Sequence, residues 1–439
     1  MPLDNGSIKP VNGILLLYHH PLRSSAATVM EHVNAFTRHS RLPVCSVNTA
    51  LGFPAGLRRL RFQIVVLHYS LFSTGRYYLN QQFLRYLADS VCRYKIAFFQ
   101  DEHRYCQPRF AFLNRYKIDC VYTLLEPAYF QDVYQKYTAV PKLVYTLAGY
   151  VSDDLVAIAR ALTKPDHQRT IDVGYRGRRL DFYMGQGAQE KHEIATGFVR
   201  RASTLGLQLD IAFEEHQRIY GRTWYEFLAN CRAVLGVEAG VSIFDLQDTV
   251  RTACERLLVC HPRLSFAEVF ELVLRPWENN VPYRTISPRH FEAAALRVCQ
   301  ILFAGQYSGI MQPMVHYIPL QKDFSNFAEV IRMFRDEELR HVITENAYRD
   351  LIASGQYTYQ KFIESFEQEL WQAGYQPNMP AGDAAQVTAL LKRGKTRRYL
   401  CARVKETLSY PLYRNRRIRF LAQPFLRLYR RYRRIKPYG

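Results

Sequence analysis

Short apolar runs alternate with amphipathic stretches through the first 150 residues. Residues 13–18 (GILLLY) read as a buried strand, and Ala26, Val29, Val33 and Phe36 then recur at helical spacing. Further strand-like runs fall at 43–47, 63–68, 95–99, 120–124 and 142–147. The pattern pauses in the polar, proline-containing stretch 162–169 and then restarts. Strands are expected at 170–175, 207–213, 233–237, 300–303 and 316–319. Ile194, Phe198, Ala202 and Leu205 form one helical stripe between them; Trp224, Phe227, Leu228 and Cys231 form another. Ser265 with Glu268 reads as a capping box. Strands separated by helical segments predict βαβ units and parallel sheets. The expected fold is α/β: two Rossmann-like doubly wound domains facing across a cleft, plus a basic C-terminal helical tail. Boundaries are drawn at 1–165, 170–375 and 376–439.

Charge sharpens this division. The net charge of +20 comes from 59 Lys and Arg against 39 Asp and Glu. Residues 392–439 hold 17 of the bases and one acid, Glu406, so residues 1–391 carry 42 bases and 38 acids and are nearly neutral. The hydrophobic fraction of 48% excludes a disordered body. Nine scattered cysteines with no CxxC pair fit reduced, buried thiols. No leader-like segment opens the sequence, and its longest uncharged stretch, 298–321, is broken by glycines and prolines. A cytoplasmic protein, peripheral to a membrane, is expected.

Two doubly wound domains bind ligand at the carboxyl ends of their strands. Three N-terminal strands run into polar clusters there: His19-His20, His68-Tyr69-Ser70 and Gln100-Asp101-Glu102-His103. A His or carboxylate in such a place either serves structure or acts as general base, which makes His20, Asp101 and His103 candidates. In the C-terminal half, the first strand leads to Arg176, Gly177 and Arg178, then Gly185-Gln186-Gly187 and Lys191 before a helix. Glycine, helix N–H groups and basic side chains suit a phosphate, although an ordinary glycine turn gives the same pattern. No Asp-x-Asp, GxxxxGK[ST] or GxSxG occurs. A diphosphate held here is therefore expected to rest on Arg and Lys, with no metal and no cofactor.

Residues 287–295 (SPRHFEAAA), 301–303, Gly305, Tyr307-Ser308-Gly309, 316–320 and 323–326 together resemble the donor-binding region of bacterial GT-B glycosyltransferases, in the group related to family 4. The resemblance covers about residues 170–372, and the N-terminal half only in architecture. It implies that Glu292 hydrogen-bonds the nucleotide ribose, that Arg176, Arg178 and Lys191 hold the donor pyrophosphate, and that Gly187, Arg289, Tyr307 and Ser308 belong to the same donor site. It also implies closing helices at 346–348 and 356–359 that return to the N-terminal domain. One departure stands out. The family places another glutamate eight positions before Glu292, where this chain has Arg284. Glu238, which follows a strand, is the candidate to face the cleft instead, with a solvated loop carboxylate as its alternative.

The tail interleaves bases with Tyr399, Tyr410, Tyr413, Phe420, Phe425, Tyr429, Tyr432 and Tyr438. From Pro424, residues Phe425, Leu428, Tyr429, Tyr432 and Ile435 share a helical face ringed by arginines. That suits an anionic membrane, with single-stranded nucleic acid or a solvated tail as the competing readings. The combined expectation is a metal-independent transferase. It would move sugar from a nucleotide-sugar donor to a glycan or lipid-linked acceptor at the inner face of the plasma membrane, in cell-surface polysaccharide synthesis. A non-catalytic scaffold of the same fold, binding membrane or RNA through its tail, is the alternative.

Overall fold

The computed structural model describes residues 8–22, 27–73, 75–89 and 94–414 of the chain. In the N-terminal body, β1 (Lys9–Tyr18) leads into α1 (Ala27–Arg38), followed by β2 (Val44–Asn48), β3 (Leu60–Leu67) and β4 (Tyr94–Phe98). Helix α2 (Cys106–Arg115), β5 (Cys120–Thr123) and β6 (Lys142–Tyr145) complete it. The six strands are parallel, in the order β2-β1-β3-β4-β5-β6. Ile14, Leu15, Leu16 and Leu17 are all fully buried. A parallel strand covered on both faces has no polar side to show, which is why GILLLY is a continuous apolar run.

The C-terminal body repeats the plan. It contains β7 (Ile171–Arg176), α3 (Gln186–Ala202), β8 (Leu209–Ala212), α4 (Arg222–Asn230) and β9 (Cys231–Gly236). A short antiparallel pair, β10 (Ala239–Val241) with β11 (Tyr283–Thr285), brackets a 41-residue excursion that includes α5 (Val250–Cys260). Then come α6 (Pro288–Ala295), β12 (Cys299–Phe303) and β13 (Ile318–Leu320). The parallel sheet has the order β8-β7-β9-β12-β13. All eleven strands expected from the apolar runs are present, and the Ser265–Glu268 capping box forms. Two doubly wound bodies result, with the carboxyl ends of both sheets turned to one cleft.

The chain crosses between the bodies twice, and the crossings pair. The Val151 N–H donates to the Tyr357 carbonyl at 2.8 Å, and the Tyr359 N–H to the Val151 carbonyl at 3.0 Å. Helix α7 (Tyr359–Gln372) then buries Phe362, Ile363 and Phe366 on the outer face of the N-terminal sheet, against Ile14, Ile64 and Phe98. The last helix of the span 170–375 therefore belongs to the N-terminal body.

The region from 376 onward differs in part from a free linker and tail. Helix α8 (Ala381–Lys392) places Val387 and Leu391 in the N-terminal core, and α9 (Lys395–Arg414) follows it over the same body. Burial of these apolar side chains is what pins the segment. Residues 415–439, which include the Phe425–Ile435 face, lie outside the described residues. Among the described residues no helix is long and apolar enough to cross a membrane.

Helix α8 docks closely because Gly56 has no side chain: a Cβ there would run into the Leu390 carbonyl. Gly56→Val is expected to cost about 1–3 kcal/mol and to expose 381–402 to proteolysis while residues 8–372 stay folded. An unchanged digestion pattern would contradict this docking.

Candidate functional site

A cavity of about 260 Å³ lies between the two bodies, at the carboxyl ends of β4, β7 and β9. That is the crevice position doubly wound sheets use for ligands. The N-terminal body contributes Asp101, His103 and Arg104; the C-terminal body contributes Arg176, Arg178, Lys191, Arg218 and Arg289, with Trp224 and Phe227 as an apolar wall. Among the described residues, Asp101 is the one acid lining it.

The cations are in different states. Arg176 is committed internally: it pairs with Asp210 at 2.8 Å, donates to the Asp210 carbonyl at 2.8 Å and sits 4.3 Å over the Phe227 ring. Its side chain shapes the wall of the cavity, and its Nε is buried without a hydrogen-bond partner among the described residues. Arg178 is exposed at the cavity rim. Lys191, on α3, is largely buried, and among the described residues its ammonium meets only the Gly240 carbonyl, at 3.3 Å. Burial, reinforced by Arg284 and opposed by Asp101, pushes its pKa down to about 8. Arg289 rises from the first turn of α6, stacks 5.0 Å over Trp224 and donates to the Arg176 carbonyl.

Glu292 is one helical turn beyond Arg289. Its carboxylate accepts from the Trp224 indole at 2.7 Å, and burial raises its pKa. Together with Arg289 and Trp224 it lines a side chamber that also takes in Thr28 of the N-terminal body. Glu31 of α1 is half-buried nearby and pushed up to about 7, first by burial and then by the Glu292 charge.

Asp101 and His103 reach the cavity as expected, in unlike states. Asp101 is exposed, in a left-handed backbone conformation with φ 52°. His103 is buried with neither ring nitrogen hydrogen-bonded among the described residues, and burial pushes its pKa down to about 3. Near neutral pH it is an uncharged imidazole and a weak base. His20 does not line the cavity; its backbone is tied to the Asn48 side chain at 3.0 and 2.8 Å. His68 is a core residue, fully buried and 3.0 Å from His32.

Four other expected site residues make contacts within the chain. Glu238 is buried, accepts from the Gln306 and Tyr307 N–H groups at 3.2 and 2.9 Å and pairs with Arg284 at 3.5 Å. Arg284 also pairs with Glu190, which Lys322 reaches at 2.8 Å. The position of the missing family glutamate is thus filled by a cation whose charge two buried carboxylates consume. Gly187 packs on the Arg284 guanidinium and donates to Ser242 Oγ at 2.8 Å, while Glu278 accepts from the Gln186 N–H at 3.2 Å. The chain's own side chains thereby occupy the start of α3. Tyr307 is fully buried, its hydroxyl on the Phe303 carbonyl. Ser308 Oγ sits 3.0 Å from Thr285 Oγ1 and accepts from the Ile286 N–H at 3.1 Å. These two brace the approach to α6 and so aim Arg289 and Glu292.

The bodies are locked where the cavity forms. Asp248, from the excursion between β10 and β11, accepts from the Cys106 and Gln107 N–H groups at 3.0 and 3.1 Å and caps α2 across the interface. The Asp245 N–H donates to the His103 carbonyl at 2.8 Å, and Arg104 donates to the Tyr183 hydroxyl at 2.7 Å. Glu102 is fully buried and accepts from Thr123, the Leu124 N–H, Tyr134 and, across the interface at 3.2 Å, Tyr283. Arg104, Arg218 and Trp224 were not singled out as site residues from sequence. The spacing of Trp224 matches a core stripe, and only the indole N–H that reaches Glu292 distinguishes it.

No family model and no curated protein matches the sequence. Among solved structures, the chain is similar to a T4 phage alpha-glucosyltransferase in complex with UDP and a 13-mer DNA, at 10% identity, with 84% of this chain and 100% of that one covered and a TM-score of 0.49. It is also similar to Anabaena HepE in complex with UDP-glucose (11% identity, 82% and 99% covered, TM-score 0.43). A third is sucrose-phosphate synthase from Thermosynechococcus elongatus (13% identity, 71% and 74% covered, TM-score 0.39). What the cavity can hold follows from its own side chains. Among the described residues no group of three or more His, Cys, Asp or Glu is placed to hold a metal ion.

Asp248→Ala removes a cap that belongs to both bodies. It is expected to lower stability by about 0.5–2 kcal/mol and to speed amide exchange at 101–107 more than elsewhere in α2. Uniform exchange throughout would show that the cap does not hold the cavity wall.

Proposed function

We propose that this chain is a glycosyltransferase whose inter-body cavity holds a nucleotide-sugar donor. The observation that carries the reading is the imbalance of charge in that cavity, where, among the described lining residues, Arg104, Arg178, Lys191 and Arg289 face a single acid, Asp101. Lys191, largely buried with no carboxylate partner among the described residues, and the exposed Arg178 and Arg289 beside it favour a multiply charged anion, and a diphosphate is of the right kind. Beside them, Trp224 offers a flat apolar face and Glu292 a carboxylate, which suit a nucleoside.

The chemistry then follows. As the bond between the sugar carbon and the diphosphate oxygen breaks, negative charge grows on the leaving group. Lys191, Arg178 and Arg289 stabilise it. A cation set of this kind does the work a divalent metal does elsewhere, so transfer is expected to proceed without one. Asp101 accepts the acceptor hydroxyl's proton, while neutral His103 beside it supplies a hydrogen-bonding surface.

The acceptor is a glycan or lipid-linked sugar, and the setting is the cytosolic membrane face in cell-surface polysaccharide synthesis. Support for the membrane comes from α9, which exposes Tyr399, Leu400 and Val404 beside Lys395, Arg397 and Arg403. A second reading, a non-catalytic scaffold, draws on one observation: Arg284, with its charge absorbed by Glu190 and Glu238, stands where the resemblance implies a glutamate near the sugar. Donor turnover in the presence of membranes separates the two readings.

Binding should carry the signature of Lys191. Its ammonium is the binding form, so nucleoside diphosphate affinity is expected to hold below pH 8 and to fall above it by up to about tenfold per pH unit. Lys191→Arg should flatten the profile. Glu292→Ala should weaken nucleotide binding roughly tenfold. Calorimetric titration measures both, and repeating it in EDTA tests metal independence. A flat wild-type profile, together with an unaffected Glu292→Ala protein, would remove the assignment.

A further inference from the structure

A second cavity, of about 740 Å³, lies in the N-terminal body between the loops that leave β1 and β2 and the start of α9. His19, Thr49 and Tyr78 line one side; Arg393, Arg397 and Arg398 line the other, and no Asp or Glu is among its lining residues. His19 and Tyr78 stack with ring centroids 3.8 Å apart and nearly parallel planes, and His19 Nδ1 is 3.1 Å from Thr49 Oγ1. The wall they form is flat.

Arg398 is the telling group. It is half-buried, and among the described residues its guanidinium donates only to neutral carbonyls, those of Gly52 at 3.3 Å and Leu391 at 2.9 Å. Its Nε is buried with no hydrogen-bond partner. Among the described residues no carboxylate pairs with Arg393, Arg397 or Arg398. Taking a cation out of water without a counter-charge is unfavourable, and carbonyl dipoles offset only part of the cost. Such a group is stabilised by an anion that arrives from outside. Arg393 and Arg397 are exposed beside it and bring the same sign of charge to the cavity's open side.

Position gives the anion a use. His19 directly follows β1, and Asp101 and His103 follow β4; the sheet order puts β3 alone between those strands. Two strand spacings are roughly 10 Å. A ligand anchored at His19 can therefore extend along the same sheet edge to the donor cavity.

We propose that this cavity is a second anion site, which holds a phosphate or diphosphate group carried by the acceptor while the acceptor's hydroxyl is presented in the cleft. This rests on the reading of the cleft as a donor site. The group is borne either by an isoprenoid lipid or by a soluble phosphorylated glycan.

Inorganic pyrophosphate, titrated calorimetrically into the full chain, tests the site. Three proteins separate it from the donor reading: wild type, the exposed-residue double variant Arg393→Glu/Arg397→Glu, and Lys191→Ala. Two classes of binding are expected in the wild type. The double variant should weaken one by roughly tenfold or more, and Lys191→Ala should weaken the other. Loss in Lys191→Ala with none in the double variant would overturn the second site and leave the donor reading standing. The reverse pattern would support the second site and remove Lys191 from the donor site. The source of the phosphate is read by displacing pyrophosphate from the Lys191→Ala protein. One arm uses phosphatidylcholine vesicles carrying an isoprenoid diphosphate, and the other a soluble phosphorylated oligosaccharide. Displacement by either supports an acceptor site and identifies the carrier; displacement by neither overturns its assignment to the acceptor.

Discussion

The cap that Asp248 places on α2 is the contact on which the cavity depends. The start of α2 has free N–H groups, and its partial positive charge needs an acceptor. That acceptor comes from the other body, from the excursion between β10 and β11. The loop just before α2 is the one that carries Asp101, His103 and Arg104. Fixing the helix start therefore fixes the N-terminal wall of the cavity relative to the C-terminal cations. Glu102 reinforces this from beneath, since a fully buried carboxylate is tolerable only when its oxygens are hydrogen-bonded, and Tyr283 supplies one donor from across the interface. A single continuous core runs from Leu67 and Phe112 in one body to Phe244 and Leu274 in the other.

Around this frame, the chain separates cations that hold structure from cations left for a ligand. Arg176 is absorbed by Asp210 and Arg284 by Glu190 and Glu238, so neither adds a free charge to the cleft. Lys191 is buried without a carboxylate of its own among the described residues, and burial, reinforced by Arg284, lowers its pKa. A strongly basic protein with a nearly neutral body thus keeps its unbalanced positive charge in defined places: the cleft, the start of α9 and the tail beyond it.

Much of the fold was legible because parallel strands buried on both faces must be apolar runs, and GILLLY and its counterparts can be little else. The cleft's location was legible too, because strand ends at a sheet's topological switch point are where polar clusters gather. Direction was not. Gly187, Tyr307 and Ser308 lie in the right segment, yet they pack against Arg284, Phe303 and Thr285, and adjacency in sequence does not say which way a side chain faces. Glu238 looked available because its buried partner lies 46 residues downstream, at Arg284. Trp224 shares the spacing of a core residue, and α8 looked like linker because one buried valine and one leucine make a weak periodic signal.

The central claim is that the cleft between the bodies binds a nucleoside diphosphate through Lys191, Arg178 and Arg289. A crystal structure of the chain with a nucleoside diphosphate bound tests it most directly. The account predicts phosphate oxygens within hydrogen-bonding distance of Lys191 and Arg289, with the ribose on Glu292. A nucleotide bound elsewhere, or phosphates seated on Arg176 or Arg284 with their carboxylate partners displaced, would contradict it.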